Sequence, residues 1–218
     1  MDDEQTHRAA AVFDALGADY ERAFGGSPAH HDSLRRLLDD LAPGSRVLDV
    51  GSGTGRPTAA ALAAAGHRVL GVDVSPVMVA LARRQVPEAE FQQADIHDMP
   101  LPEASFDAVC VYFSLLQMSR AEQSALLHRL VRALRPGGLC ALATVPLDVE
   151  DVQGVFMGRD VRVTSFAAED FTAAVREAGL TVTHQEGLLF TPAHPGAGPE
   201  PHLFVHGRRE RSDPHPTA

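Results

Sequence analysis

Three aspartates, each closing an apolar run, are the residues best placed to do chemistry. Asp49 lies just ahead of a glycine loop, within Val47-Leu48-Asp49-Val50-Gly51-Ser52-Gly53-Thr54-Gly55-Arg56. Asp73 closes the next run, Arg68-Val69-Leu70-Gly71-Val72-Asp73, about 20 residues past the loop, where a carboxylate can accept both hydroxyls of a ribose. Asp95 follows a third run, Ala89-Glu90-Phe91-Gln92. A carboxylate there can accept from the exocyclic amine of an adenine, and neighbouring Ile96 can pack on the ring. Glycines let the backbone turn tightly and approach a ligand closely. In the dinucleotide fingerprint G-x-G-x-x-G the third glycine falls on Arg56. The spacing Gly51, Gly53, Gly55 suits a nucleoside without a pyrophosphate better.

These residues need a frame that brings them to one edge. The chain supplies one by alternating short apolar runs with helical spacings. After the glycine loop, Thr58 to Ala65 reads as a helix stopped by Gly66, and Pro76 to Gln85 as the next. Strands are expected at Phe106 to Phe113 and Leu139 to Val145, with a helix from Arg120 to Leu134 between them. A helix from Phe166 to Ala178 follows, then strands at Leu180 to Thr183 and Leu203 to His206. Such alternation predicts a doubly wound α/β fold with parallel strands, right-handed crossovers and helices on both faces. All three aspartates then emerge at the carboxyl edge of the sheet, where ligands bind. Ahead of this core, one helix is expected from Gln5 to Leu16, ending at Gly17. Another begins at Ser27-Pro28, an N-cap followed by proline at the first helical position, and closes at Pro43-Gly44. Pro192 to Pro201 is expected to be a loop, and the residues after about Arg209 a disordered tail.

Charge and composition remove whole classes of function. The net charge is −10, with 19 basic against 29 acidic residues, and every base is arginine. Without lysine there is no Schiff-base nucleophile and no phosphate-binding Gly-Lys-Ser/Thr loop. An acidic chain is also a poor nucleic-acid binder. Two cysteines, Cys110 and Cys140, in apolar stretches point to inert buried thiols rather than a disulfide framework. An acidic start with no apolar stretch behind it, and no run of about 20 apolar residues, lead to the expectation of a soluble cytoplasmic protein with no membrane partner. His202 and His206 are four apart; along a strand that is roughly 13 Å, too far to share a metal, so no metal is expected. His30 and His31, near a helix start, read as exposed helix residues, with a reach into the cleft as the alternative, and His184 as structural.

The motifs taken together resemble the class I S-adenosylmethionine-dependent methyltransferases of small-molecule type. Val47 to Arg56, Gly71-Val72-Asp73-Val74-Ser75, Ala94-Asp95-Ile96, Phe106-Asp107-Ala108-Val109 and Leu134-Arg135-Pro136-Gly137-Gly138 are similar to that family's successive motifs, in order, over residues 45 to 145. The resemblance implies a Rossmann-like sheet of seven strands in the order 3-2-1-4-5-7-6, strand 7 antiparallel. It implies one domain, residues 1–209, with residues 1–43 a helical lid on the core 44–209 and residues 210–218 the disordered tail. The cofactor would be S-adenosylmethionine, leaving as S-adenosylhomocysteine. Gly51 and Gly53 would face its methionine part, with Asp49 supporting the loop and the amino group. Asp73 would hold the ribose, and Asp95 and Ile96 the adenine, with Ser52, Val74 and Met78 also at the cofactor. Tyr112 and Ser114 would lie close to the sulfonium.

The acceptor expected from the same resemblance is a small molecule, methylated on O, N or C by in-line displacement. Val111-Tyr112-Phe113-Ser114 is not the Asp/Asn-Pro-Pro-Tyr of enzymes that methylate adenine or glutamine amines. Tyr20, on the N-terminal helices with Phe13 and Phe24, is the candidate to close over the ligands. Phe113 and Gln117, after the fourth strand, and Phe156 and Met157, in an expected loop between Pro146 and Ser165, are the other acceptor candidates. No residue is singled out as a general base, and either a monomer or a homodimer is compatible. Two rivals stand beside this reading: an NAD(P)-dependent oxidoreductase, which Arg56 disfavours, and a protein that binds S-adenosylmethionine for chemistry other than methyl transfer.

Overall fold

A computed structural model describes residues 3–211. Three helices lead: α1 (Asp3–Leu16), α2 (Ala18–Phe24) and α3 (Pro28–Asp40). The core then alternates: β1 (Arg46–Val50), α4 (Thr58–Ala64), β2 (Arg68–Asp73), α5 (Pro76–Gln85), β3 (Glu90–Gln93), β4 (Phe106–Tyr112), α6 (Arg120–Ala133) and β5 (Leu134–Thr144). A hairpin of β6 (Val149–Phe156) and β7 (Arg159–Ser165) follows, then α7 (Ala168–Glu177), β8 (Leu180–Phe190) and β9 (Glu200–Arg209).

Seven strands form one sheet in the order β3-β2-β1-β4-β5-β9-β8, while β6 and β7 pair only with each other. With that hairpin set apart, β8 and β9 are the sixth and seventh strands of the sheet. The expected order 3-2-1-4-5-7-6 is therefore the observed one, with β9 antiparallel to both β5 and β8. The chain is an α/β doubly wound, Rossmann-like protein.

Strand alternation explains the layers. Leu48, Val50, Val109, Val111 and Leu142 point to one face, where Leu126 and Leu130 of α6 and Phe171 and Val175 of α7 cover them. Their neighbours Val47, Cys110 and Ala141 point to the other, under Leu34 and Leu37 of α3, Leu62 of α4 and Val79 of α5. Both faces of the central strands are thus dry, which is why they read as continuous apolar runs. Helices α3, α5 and α6 start on side-chain caps. Ser27 Oγ accepts from His30 N, Ser75 Oγ accepts from Met78 N at 3.0 Å, and Ser119 forms a reciprocal capping box with Glu122.

Three expectations are corrected and one element is added. The first helix ends at Gly17 as expected, but past that residue, at a left-handed φ of 49°, the chain re-enters a helix at Ala18 that no spacing had signalled. The segment from Pro146 to Ser165 holds the β6–β7 hairpin, not a loop; its exposed charged positions hide a strand alternation. The last two strands extend well beyond the short apolar cores that signalled them. His30 is buried rather than exposed: its Nε2 lies 3.1 Å from Thr58 Oγ1 and its ring centroid 4.2 Å from that of Tyr112. Of the tail expected to be disordered, 212–218 lie outside the described residues, and Glu210 and Arg211 are exposed.

A buried polar chain ties α3 to the sheet. Ser33 Oγ is 2.9 Å from the Tyr112 hydroxyl and 2.8 Å from His206 Nε2. Burial, with smaller effects from His184 and Arg36, lowers the His206 pKa to about 4; burial also lowers His30 to about 3. Both histidines are neutral when folded and protonate near 6.5 when unfolded, so the unfolded chain binds more protons below that pH. The contribution of these two histidines to stability should therefore fall as the pH drops from about 6.5 toward 4, by a few kcal/mol. Urea unfolding of wild type and His206→Gln at pH 7 and pH 5 checks this. The variant, which keeps a donor for Ser33 but cannot titrate, should gain on wild type at pH 5; an unchanged difference between the two proteins would contradict the assignment.

Candidate functional site

The carboxyl ends of the parallel strands open on a cavity of about 400 Å³ where the strand order reverses between β1 and β4. Two buried aspartates of neighbouring strands stand at its polar side, Asp73 in its lining and Asp49 in that of the adjoining smaller cavity. Asp49, in β1, is buried, and its Oδ2 has no hydrogen-bond partner among the described residues. Burial, then the nearby Asp73, pushes its pKa up to about 7. Asp73, at the end of β2, is also buried, yet its two oxygens are engaged: Oδ2 accepts from Gly53 N at 2.8 Å and Oδ1 from Ser75 N at 2.9 Å. Burial raises its pKa too, against the opposing effect of these backbone donors.

The glycine loop is shaped by what it must clear. At Gly51, with φ 67°, an added Cβ would stand 2.2 Å from Ser114 Cβ, so the loop meets the end of β4 in a way only glycine permits. Gly53 instead faces open space on its Cβ side while its amide fixes Asp73. Next to this loop is a smaller cavity of about 50 Å³, lined by Asp49, Ser52, Thr54, His30 and His202 among others. Ser52 Oγ is buried there without a partner.

Most of the expected site residues converge. Gly51, Gly53, Asp73, Val74, Met78, Asp95 and Ile96 line the larger cavity on one side. Tyr112, Phe113, Ser114 and Gln117 line it from the end of β4, and Tyr20 and Phe156 close it from outside. Asp49 and Ser52 line the adjoining smaller one instead. Met157 lines neither: it sits in the β6–β7 turn with a left-handed φ of 47°. Asp95 Oδ1 accepts from His97 N and pairs with His97 Nδ1, both at 2.9 Å.

Several positioning groups carry no sequence signal of their own. Arg129 of α6 donates to the carbonyls of Ile96, His97 and Met99 and so pins the loop that carries Asp95 and Ile96. Asp14 of α1 accepts from Ser75 Oγ at 2.5 Å, docking the N-terminal helix on the cap of α5. The aromatic rings of Phe13, Tyr20, Phe24 and Phe156 stack, tilt or meet edge-on at centroid distances of 5.0–6.3 Å. Glu200, at the start of β9, reaches the same cavity and holds His202 Nε2 at 2.8 Å. A single arginine or aspartate is too common to flag; only the fold shows what it touches.

Known proteins share this arrangement. Residues 47–138 match the family model described as a methyltransferase domain. An O-methyltransferase from Penicillium expansum is 31% identical over 191 residues, covering 79% of this chain and 68% of its own. The chain belongs to the class I S-adenosylmethionine-dependent methyltransferases. A demethylmenaquinone methyltransferase of Clavibacter sepedonicus is 35% identical over 148 residues, 63% of this chain and 59% of that protein. The chain thus spans about three-fifths of the length of the first curated relatives it matches. Among solved structures, the 1,6-didemethyltoxoflavin N1-methyltransferase of Burkholderia thailandensis, with bound substrate and S-adenosylhomocysteine, shares the fold. Its TM-score is 0.71 at 24% identity, covering 95% of this chain and 89% of that one. Among the described residues no helix is long and apolar enough to cross a membrane, and no three metal-ligating side chains cluster.

The orphaned carboxylate of Asp49 has a measurable consequence. Its folded pKa of about 7 stands above the ordinary 3.8, so folding takes up a proton between those values. Without ligand, stability should decline as the pH rises from about 4 to 7, by roughly 3–5 kcal/mol from this group alone. Asp49→Asn removes that decline. Calorimetric unfolding of the ligand-free protein at pH 5 and pH 8 should show the variant gaining on wild type at the higher pH; an unchanged difference would contradict it.

Proposed function

We propose that this protein transfers the methyl group of S-adenosylmethionine to an O, N or C atom of a small molecule. The observation that carries the reading is the pair of buried aspartates at adjacent strand ends, beside a glycine loop and an apolar cavity. The residues fit the cofactor. Asp49 Oδ2, buried and without a partner, suits the ammonium of the methionine part, and Ser52 Oγ lies beside it for the same end. Asp73 suits the ribose hydroxyls: each carboxylate oxygen retains a lone pair beyond the one given to a backbone amide. Asp95 and Ile96 suit the adenine, on the loop that Arg129 holds.

When bound, the cofactor supplies a methyl group already activated on a sulfonium. What remains for the chain is binding, alignment and exclusion of water. Tyr112, Phe113 and Ser114 lie where the end of β4 meets the glycine loop, so they flank the reacting end. Tyr20, Phe24 and Phe156 cover that end from the opposite side, which makes α1, α2 and the β6–β7 hairpin the cover over both ligands. Lysine is not needed, because no nucleophile of the protein takes part. Likeness to demethylmenaquinone and O-methyltransferases supports a small-molecule acceptor.

Titration calorimetry with S-adenosylhomocysteine checks the cofactor assignment. Asp73→Ala should weaken binding about 10- to 100-fold, the loss of a charged hydrogen-bond partner worth roughly 1–3 kcal/mol. Unchanged affinity, or tighter binding of NAD than of S-adenosylhomocysteine, would sink it. Incubation with methyl-labelled donor should label small molecules of a cell extract and leave DNA, RNA and protein unlabelled. Strong labelling of any polymer would overturn the acceptor class.

A further inference from the structure

Away from the nucleoside side, the large cavity has an unusual lining for a chain with 19 arginines. Among the described residues its charged members are Asp73, Asp95 and Glu200, and no arginine or histidine lines it. The walls opposite the cofactor side are aromatic and aliphatic, dominated by Phe13, Phe24, Phe156 and the inward valines of the hairpin. Ring contacts continue outward from Phe24 to Phe190 at 6.1 Å. A carboxylate or phosphate entering this space would lose its hydration and meet no cation, a large cost. It would also face Glu200.

Glu200 is fixed rather than flexible. It opens β9 opposite Phe190 of β8, and its Oε1 lies 2.8 Å from His202 Nε2. The His202 side chain is 1% exposed, its ring 4.4 Å from that of Phe113 and 5.2 Å from that of Phe190. His202 Nδ1 is buried with no partner among the described residues. A neutral imidazole donating from Nε2 to Glu200 leaves only a lone pair unsatisfied there, whereas an imidazolium would strand an N–H. The arrangement therefore keeps a carboxylate aimed from a rigid strand into an apolar, ring-lined space. Phe113, which touches His202, follows directly from the end of β4, so this carboxylate sits on the acceptor side of the reacting end.

We infer that Glu200 is the specificity-determining anchor of the acceptor, which is a flat aromatic molecule without negative charge that presents an O–H or N–H to it. The inference rests on the cofactor reading above and deepens it. Ring stacking supplies the affinity that a sequence-tolerant aromatic wall can give, and Glu200 selects the donor-bearing edge. It excludes acceptors whose methylated edge carries a carboxylate or phosphate.

Naphthyl probes test this directly, because the chain has no tryptophan and naphthyl fluorescence can be read without interference. Protein saturated with S-adenosylhomocysteine is titrated with 2-naphthol, 2-methylnaphthalene and 2-naphthoate. The expected order is naphthol tightest and naphthoate weakest, with at least about a tenfold gap between them. Glu200→Gln should leave S-adenosylhomocysteine affinity within about twofold and shrink the naphthol–naphthoate gap to less than about threefold, mainly by tightening naphthoate. Equal binding of naphthol and naphthoate to wild type overturns the inference. So does a gap that survives Glu200→Gln, or failure of both neutral probes to bind the saturated protein. Failure of S-adenosylhomocysteine itself to bind brings down the cofactor reading, and this one with it.

Discussion

Two carboxylates buried side by side at the ends of adjacent parallel strands are the constraint on which the rest of this structure depends. Asp49 and Asp73 lie in a dry sheet, each raising the other's cost of ionisation, and Asp49 finds no donor for one of its oxygens. A fold that sought only stability would place apolar residues at both positions. Keeping them demands glycine at 51, where β4 presses on the loop, and an amide at Gly53 aimed at Asp73. It also demands a ligand that brings positive charge and hydroxyl donors to this edge. The function follows from that unmet demand more than from any single motif.

The elements around the site divide the work between two ligands. The sheet edge and its loops, braced by Arg129, present the polar groups suited to a nucleoside. The covering helices and the β6–β7 hairpin contribute almost only rings and branched aliphatics. Docking of α1 through Asp14 onto the cap of α5 links the two halves, since Ser75 also donates its backbone amide to Asp73. A change at the cover is therefore mechanically connected to Asp73.

The sheet and the polar half of the site were legible in the sequence for a physical reason. Strands buried on both faces read as unbroken apolar runs, and Gly51, Gly53, Asp73 and Asp95 sit at fixed distances along such runs. The cover was not legible to the same degree. Gly17 stops α1 where expected, but α2 restarts at Ala18 with no side-chain cap to signal it, and the hairpin carries charges on its exposed face that mask its alternation. His30 stands in a polar pair at a helix start, a context typical of the surface, yet α3 packs that turn against Tyr112. Glu200 and His202 follow a proline-rich loop, where nothing in the local pattern tells a strand that lines a cavity from a tail. Met157 stands in the turn beside Phe156 and outside both cavity linings, a distinction that an apolar patch in sequence does not carry.

A crystal structure of the protein with S-adenosylhomocysteine tests the central claim most directly. The account predicts the ribose hydroxyls on Asp73 and the ammonium within about 3 Å of Asp49 Oδ2. The sulfur should then face the space between Phe113 and Glu200. A ligand seated elsewhere, or one bound at this edge with Asp49 Oδ2 still unpartnered, would contradict it.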